Sequence, residues 1–146
     1  MKIYNFKRDL KFGNIYEKKA FEKLKNYNND INLTCIYNND YKYDFKTNNN
    51  DTYEVKADKR SQETGNIFIE YLCKGRDSGI NKTEATYYII TDTENYYKIK
   101  TDDLKEYIKN NINDIKKIVF KSDVGLVHGL LIKINDFKNI NNIIIL

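Results

Sequence analysis

The sequence predicts a single mixed α/β domain over residues 1–146, with a mixed central β-sheet flanked by helices. The length suits one domain built around one hydrophobic core. Segments with apolar residues at helical spacing occur together with short alternating or β-branched segments, which is typical of helices interleaved with strands. No internal repeat and no linker rich in Gly, Ser or Pro divides the chain.

Two helices are expected to flank the sheet. The first, residues 11–27, is predicted from an apolar stripe at helical spacing. The stripe consists of Tyr16, Ala20, Phe21, Leu24 and Tyr27. The second, residues 101–111, begins with Asp102 and Asp103, whose carboxylates suit the positive N-terminal end of the helix dipole.

Strands are predicted where short alternating or β-branched runs are bounded by turn residues. Asn-rich patches separate the early strands, because Asn tolerates a left-handed backbone and hydrogen-bonds to nearby backbone groups. The predicted strands are residues 31–37, 41–47, 51–58, 67–72, 86–91, 96–99, 118–121, 126–134 and 142–146.

The composition narrows the function classes. A net charge of +4 is compatible with a phosphate-binding surface but falls short of strongly basic nucleic-acid-binding domains. Cys35 and Cys73 are predicted to be reduced core thiols, and His128, the single histidine, is predicted to be structural, which argues against zinc fingers and histidine-based metal sites. There is no run of 18 apolar residues and no signal-peptide pattern, so we expect a cytoplasmic protein without membrane contact.

One predicted hairpin places acidic and basic side chains on a common face. With a loop of three Asn residues, Phe45 lies opposite Tyr53 and Asp44 lies opposite Glu54. Because side chains alternate along a strand, the apolar residues share one face, and Asp44, Glu54 and Lys56 share the other. The hairpin is therefore the segment from which we predict chemistry.

Two carboxylates placed face to face repel each other unless a positive charge lies between them. Mg²⁺ or Mn²⁺ accepts hard oxygen ligands of this kind while it keeps waters and substrate oxygens. Lys56 is placed to hold an attacking water or a phosphate charge, so Asp44, Glu54 and Lys56 together predict phosphodiester hydrolysis. A solvated strand face is the alternative, because Glu-x-Lys is common on antiparallel strands.

Glu17 favours the metal-site interpretation. On the predicted helix it projects inside the apolar stripe, where a carboxylate is costly to bury without a partner. Gly13, one turn earlier, lies on the same side and would let the helix approach the sheet closely. The alternative is that Glu17 lies at the edge of the stripe and bends towards water.

These residues resemble a known family. Gly13 and Glu17 in a first helix, then Asp44, then Glu54-Val55-Lys56, are similar to the PD-(D/E)XK nucleases, in particular the Holliday-junction-resolvase-like and small phage or viral endonucleases. The resemblance covers about residues 11–91. No Pro precedes Asp44, which departs from the motif of many members.

The resemblance implies a restriction-endonuclease-like core and a metal-dependent endonuclease that cuts DNA, including branched Holliday-junction DNA, as a homodimer. It implies that Asp44 and Glu54 bind Mg²⁺ or Mn²⁺ together with the Val55 carbonyl. Lys56 matches the catalytic lysine of the family, and Glu17 matches the helical acid of its resolvase-like members. A non-catalytic nucleic-acid-binding module on the same fold is the alternative function, and an interaction protein with a merely solvated hairpin face is a third hypothesis.

Several polar residues after the motif strands are predicted to contact nucleic acid. They are Lys59, Arg60, Gln62, Lys74, Arg76 and Lys82. Gln62 resembles a glutamine that some members carry beyond the lysine, whereas the basic residues are also unremarkable for exposed loops. Glu70 is either a further acid of the metal shell or the polar residue of an amphipathic strand.

Overall fold

The computed structural model describes residues 6–38 and 40–146 of the chain. Four α-helices, ten strands and one 3₁₀ turn occur in these two ranges. In chain order they are α1 (Phe6–Asn28), β1 (Cys35–Tyr37), β2 (Phe45–Thr47), β3 (Thr52–Ala57), α2 (Ser61–Thr64), β4 (Asn66–Cys73), β5 (Arg76–Asp77), the 3₁₀ turn (Gly79–Asn81), β6 (Tyr87–Thr91), β7 (Tyr96–Lys100), α3 (Thr101–Asn111), β8 (Lys116–Ser122), β9 (Gly125–Lys133), α4 (Ile134–Phe137) and β10 (Ile144–Ile145).

The central sheet is mixed. Its six strands lie in the order β1-β2-β3-β6-β7-β10, with β3 and β6 parallel and every other pair antiparallel. The predicted mixed α/β fold with a mixed central sheet flanked by helices is confirmed. The expectation of one sheet is wrong, because β5, β4, β9 and β8 form a second, antiparallel sheet in that order.

A first buried cluster joins the two sheets and is closed by α3 and α4. Its largest fully buried members are Ile67, Ile69, Tyr88, Ile90, Tyr97, Ile99, Leu104 and Phe137. Each side chain of this size contributes about 1.5–3 kcal/mol when it is removed from water. This cluster fixes the second sheet against the face of the central sheet that carries Tyr88 and Ile90.

A second buried cluster packs α1 on the opposite face of the central sheet. Its α1 members are Ala20, Phe21 and Leu24, and its sheet members include Phe45, Tyr53, Val55 and Ile89. The ring of Phe45 stacks on Tyr53 at 4.9 Å and meets the edge of Phe21 at 5.9 Å. The predicted apolar stripe and apolar hairpin face therefore pack against each other, as the periodicity indicates.

Some predicted boundaries are wrong at their ends. Residues 41–44 form a bend rather than a strand, and Tyr41, which alternation would place on the apolar face of the hairpin with Phe45, is exposed. The bend is fixed by backbone hydrogen bonds from Asn38 N to Asp44 O and from Glu84 N to Lys42 O, both 2.8 Å long. Tyr27 is also exposed, at the end of α1. None of the helices in the described ranges combines the length and apolar character needed to cross a bilayer.

Candidate functional site

The β2–β3 hairpin sets the position of the predicted acids. Phe45 pairs with Tyr53, as predicted, and the N–H of Thr47 donates to the carbonyl of Asp51 at 2.9 Å across the Asn loop. The ladder ends at Phe45, so Asp44 lies in the bend just before β2. The expected placement of Asp44 within a regular strand, directly across from Glu54, is therefore wrong.

Asp44 instead hydrogen-bonds to β3 through both its backbone and its side chain. Its backbone N–H donates to the carbonyl of Tyr53 at 2.8 Å, and its Oδ2 accepts the backbone N–H of Val55 at 2.7 Å. Because the N–H groups of a strand point along the plane of its sheet, the Asp44 carboxylate lies near that plane. The Asp44 carboxylate therefore belongs to neither face of the central sheet and lies at its level, where β2 separates from β3.

Glu54 lies on the face of β3 opposite α1, since Tyr53 and Val55 point towards α1. It pairs in the parallel ladder with Tyr88, so these two side chains share a face. The Oε1 atom of Glu54 lies 2.9 Å from Lys56 Nζ, and its side chain is 9% exposed whereas that of Lys56 is 44% exposed. The lysine is therefore the member of this ion pair that faces solvent.

Thr83 holds the second oxygen of Glu54. Its hydroxyl lies 3.2 Å from Glu54 Oε2 and 3.2 Å from the carbonyl oxygen of Lys42, and donates to one of them at a time. The same hydroxyl accepts the backbone N–H of Ala85 at 3.2 Å. Thr83 therefore couples the buried acid of β3 to the bend that carries Asp44.

The two acids share an electrostatic environment. Burial, and then the charge of Glu54, raise the pKa of Asp44 to about 6, although Lys56 and the Val55 N–H act in the opposite direction. Burial acts to lower the pKa of Lys56, but the carboxylates of Glu54 and Asp44 raise it above its usual value, so Lys56 is a cation at neutral pH. The charge of Glu54 therefore acts on Asp44, and the charges of both acids act on Lys56.

Glu17 joins this group from α1. Burial, followed by the charges of Asp44 and Glu54, raises the pKa of Glu17 to about 7, and Lys56 offsets part of the effect. Its carboxylate comes from the face covered by α1, whereas Glu54 lies on the other face. Asp44 lies between them, near the plane of the sheet. The charges of Asp44, Glu54 and Lys56 therefore all act on Glu17, although the three acids approach from different sides. The close approach predicted at Gly13 lies outside the described side chains.

Tyr88 and Thr83 belong to this site and were not predicted from the sequence. Tyr88 is 1% exposed, and burial raises its pKa. Lys56 counteracts that rise, while the charges of Glu54 and Glu70 add to it, so Glu70 also acts on the site electrostatically. Tyr88 lies inside a run predicted only as a buried strand, and Thr83 in an unremarkable loop, so neither carried a sequence signal.

Oxygen ligands for a divalent cation are present at this point. The carbonyl of Val55 points to the same side of β3 as its N–H, which is the side of Asp44. The carboxylates of Asp44 and Glu54 and this carbonyl are hard-oxygen donors of the kind that Mg²⁺ or Mn²⁺ accepts. Among the side chains described, no three from His, Cys, Asp and Glu are grouped closely enough to hold an ion. Waters and substrate oxygens would therefore complete the shell.

The residues predicted to contact nucleic acid lie in different parts of the structure. Lys82 precedes Thr83, and its ammonium lies 4.8 Å from the centre of the Tyr41 ring, beside the Asp44 bend. The Gln62 amide donates to the carbonyl of Asp92 at 2.9 Å, at the end of β6. The remaining basic residues are exposed: Lys59 and Arg60 precede α2, and Lys74 and Arg76 border the β4–β5 turn.

The raised pKa values predict a pH-dependent stability for the metal-free protein. The folded state holds protons on Glu17 (about 7, from 4.5) and Asp44 (about 6, from 3.8) more tightly than the unfolded chain does. Their contribution to the free energy of unfolding is therefore largest below about pH 4 and falls as pH rises to about 7. Denaturant unfolding in EDTA across this range should show a shallower fall for Glu17→Gln; a constant difference between the two proteins would contradict this.

Comparison with known proteins adds no relative: no family model, no curated protein and no solved structure matches this chain. The functional argument therefore depends on the residues and geometry described above.

Proposed function

We propose that this chain is a metal-dependent endonuclease of the PD-(D/E)XK type, with a restriction-endonuclease-like core, that hydrolyses phosphodiester bonds in DNA. One observation carries the proposal. Lys56 forms a 2.9 Å ion pair with the buried Glu54, and the charges of both act on Asp44, whose carboxylate accepts the Val55 N–H of β3. Paired carboxylates beside a cationic lysine and a strand carbonyl can hold a divalent cation next to a phosphate.

Each residue has a distinct role in this proposal. Asp44, Glu54 and the Val55 carbonyl would hold Mg²⁺ or Mn²⁺, with Glu17 supporting the shell from α1. When bound, the cation would supply Lewis-acid polarisation of the phosphate and a more acidic water. Lys56 has a partly exposed side chain with its ammonium 2.9 Å from Glu54 Oε1, and it would stabilise charge on the scissile phosphate or orient the attacking water.

Burial supports the catalytic interpretation over a solvated strand face. Glu54 is 7% exposed and accepts contacts on both oxygens, from Lys56 and Thr83. Acidic side chains are almost never fully buried unless they are paired or bind a cation. An acid on a solvated strand face would need neither partner. We further propose, from the family resemblance, that the protein acts as a homodimer. Each of its two active sites would cut one DNA strand, and the substrates would include Holliday junctions.

Cleavage assays test the proposal directly. The purified protein is incubated with a four-way junction, a linear duplex and a single strand of DNA, each with Mg²⁺ and with EDTA. We expect cleavage of at least one substrate with Mg²⁺ and none with EDTA. Binding of DNA without cleavage of any substrate would reject the nuclease in favour of a non-catalytic binding module.

Replacement of Thr83 separates positioning of Glu54 from folding. Thr83→Val removes the hydroxyl that holds Glu54 Oε2 while it keeps the side-chain shape, so we expect Mn²⁺ affinity to fall roughly 10–100-fold. Thr83→Ser keeps the hydroxyl and should retain most of the affinity. Titration calorimetry measures the binding, and thermal unfolding in EDTA checks that both variants fold. Equal Mn²⁺ affinity in the two variants would show that the hydroxyl has no positioning role.

A further inference from the structure

The β8–β9 hairpin concentrates positive charge outside the proposed active site. We define the basic ribbon as residues 116–133, which comprise β8, β9 and their turn. It carries four lysines and one aspartate, a net +3, whereas the whole chain has a net charge of only +4. The four lysines are Lys116, Lys117, Lys121 and Lys133, and all are exposed. The basic ribbon is therefore a locally basic surface.

The basic ribbon also exposes apolar side chains between its lysines. The exposed members are Val119, Phe120, Val124 and Leu126. Val119 and Leu126 are more than half exposed, at 54% and 52%. Lysines on an edge strand are a common protection against unwanted strand pairing, and β8 is an edge strand. That protection accounts for the lysines but not for the exposed apolar side chains between them.

The basic ribbon connects to the candidate site through the neighbouring hairpin. The N–H of Lys74 donates to the carbonyl of Leu126 at 2.9 Å, and the Lys74 stem lies against Gly125. From Lys74 the chain passes Arg76 and the 3₁₀ turn and reaches Thr83, which contacts Glu54. The lysines of the ribbon and the predicted phosphate contacts at Lys74 and Arg76 therefore belong to adjoining parts of the second sheet.

We infer that the basic ribbon is the surface on which duplex DNA docks; this inference rests on the proposed function and names its substrate as a duplex. Lysines can neutralise phosphates, and β8 is the edge strand of the second sheet, so a DNA backbone can approach its exposed side chains. The exposed apolar side chains would then lie against the sugars. Asp44 and Glu54, the acids of the proposed active site, would act on the same DNA molecule.

The alternative partners fit the basic ribbon less well. β8 is an edge strand, and lysines on an edge strand disfavour its pairing with a strand of a second copy. An anionic membrane would satisfy the lysines but would have no connection with a phosphodiester-cleaving site. Both partners remain outcomes of the experiment.

The test measures DNA binding in EDTA, so that it does not depend on cleavage. A fluorescein-labelled duplex is titrated with the wild type and with the triple variant Lys116→Ser, Lys117→Ser, Lys121→Ser over a series of KCl concentrations. Each lost phosphate contact should reduce the slope of log K against log salt by about 0.9, so we expect a decrease of roughly 2–3 and at least about tenfold weaker binding at low salt.

A matched control removes three exposed lysines elsewhere: Lys100→Ser, Lys105→Ser, Lys138→Ser. It makes the same change in net charge and should keep nearly the full slope. Equal losses in both variants, or no loss in the ribbon variant, would overturn the inference. It would also be overturned if the ribbon variant lost binding to phosphatidylserine vesicles, or changed mass in sedimentation, while it bound DNA normally. Loss of binding only in the ribbon variant of a protein that never cleaves would uphold the ribbon and reject the nuclease.

Discussion

Glu54→Gln is expected to abolish Mg²⁺-dependent DNA cleavage, with a rate at least about a hundredfold below wild type. The substitution preserves shape and the contact with Thr83 but removes the charge of one of the two carboxylates proposed to hold the cation. The increase in melting temperature that Mg²⁺ should give the wild type would also disappear, because a ligand stabilises a protein only if it binds the folded state. Gel assays of cleavage and thermal scans with and without Mg²⁺ measure both effects.

Lys56→Met provides a contrasting variant at the same site. It should lose cleavage to a similar extent, yet keep the Mg²⁺-dependent increase in melting temperature, because Lys56 is not proposed to hold the cation. Lys46→Met is the matched control, because Lys46 is exposed on neighbouring β2. This variant should cleave DNA at the wild-type rate. Cleavage at the wild-type rate by either Glu54→Gln or Lys56→Met would refute the catalytic assignment.

Gly79→Ala is expected to destabilise the fold by about 3 kcal/mol. Gly79 has φ +49°, and a Cβ there would lie 2.2 Å from the backbone oxygen of Glu70, so β4 or the 3₁₀ turn would have to move. Gly65→Ala is the control, because its φ is +74° but nothing lies within 4 Å of the added Cβ. It should cost only the backbone strain, about 1 kcal/mol.

Urea unfolding of both variants, without metal, measures this difference. The same turn leads to Thr83, so Gly79→Ala should also weaken Mg²⁺-dependent cleavage at temperatures where the variant is folded. Gly65 lies at the end of α2, and its substitution should leave cleavage unchanged. Equal free energies of unfolding for the two variants would show that the contact with β4 relaxes at no cost.

The parts of the site that depend on local periodicity could be predicted from the sequence. Alternation and the Asn loop were sufficient to pair Phe45 with Tyr53. The helical stripe was sufficient to direct Glu17 towards the sheet. Both arguments use spacings of two residues or of three and four, which are properties of neighbouring positions on one element.

The parts that depend on distant segments could not be predicted. The bend before Asp44 is held by the backbone of Glu84, forty positions along the chain from it, and that interaction has no local pattern. Tyr88 reaches Glu54 only because β3 and β6 pair in parallel, and alternation within a strand does not specify its neighbour. The second sheet was missed for the same reason, since β4 pairs with β9 rather than with a central strand.

The parallel pairing of β3 with β6 also determines when, during synthesis, the proposed active site can form. Thr52 and Thr86, joined at the start of this pair by a hydrogen bond, are 34 positions apart, so the intervening chain must be closed into a loop before the strands register. Closure of non-local contacts slows folding. A ribosome-bound chain that has emerged only as far as Lys56 already contains every proposed catalytic side chain, but it lacks the strand that aligns them. Formation of the proposed active site must therefore await synthesis of β6, which ends at Thr91.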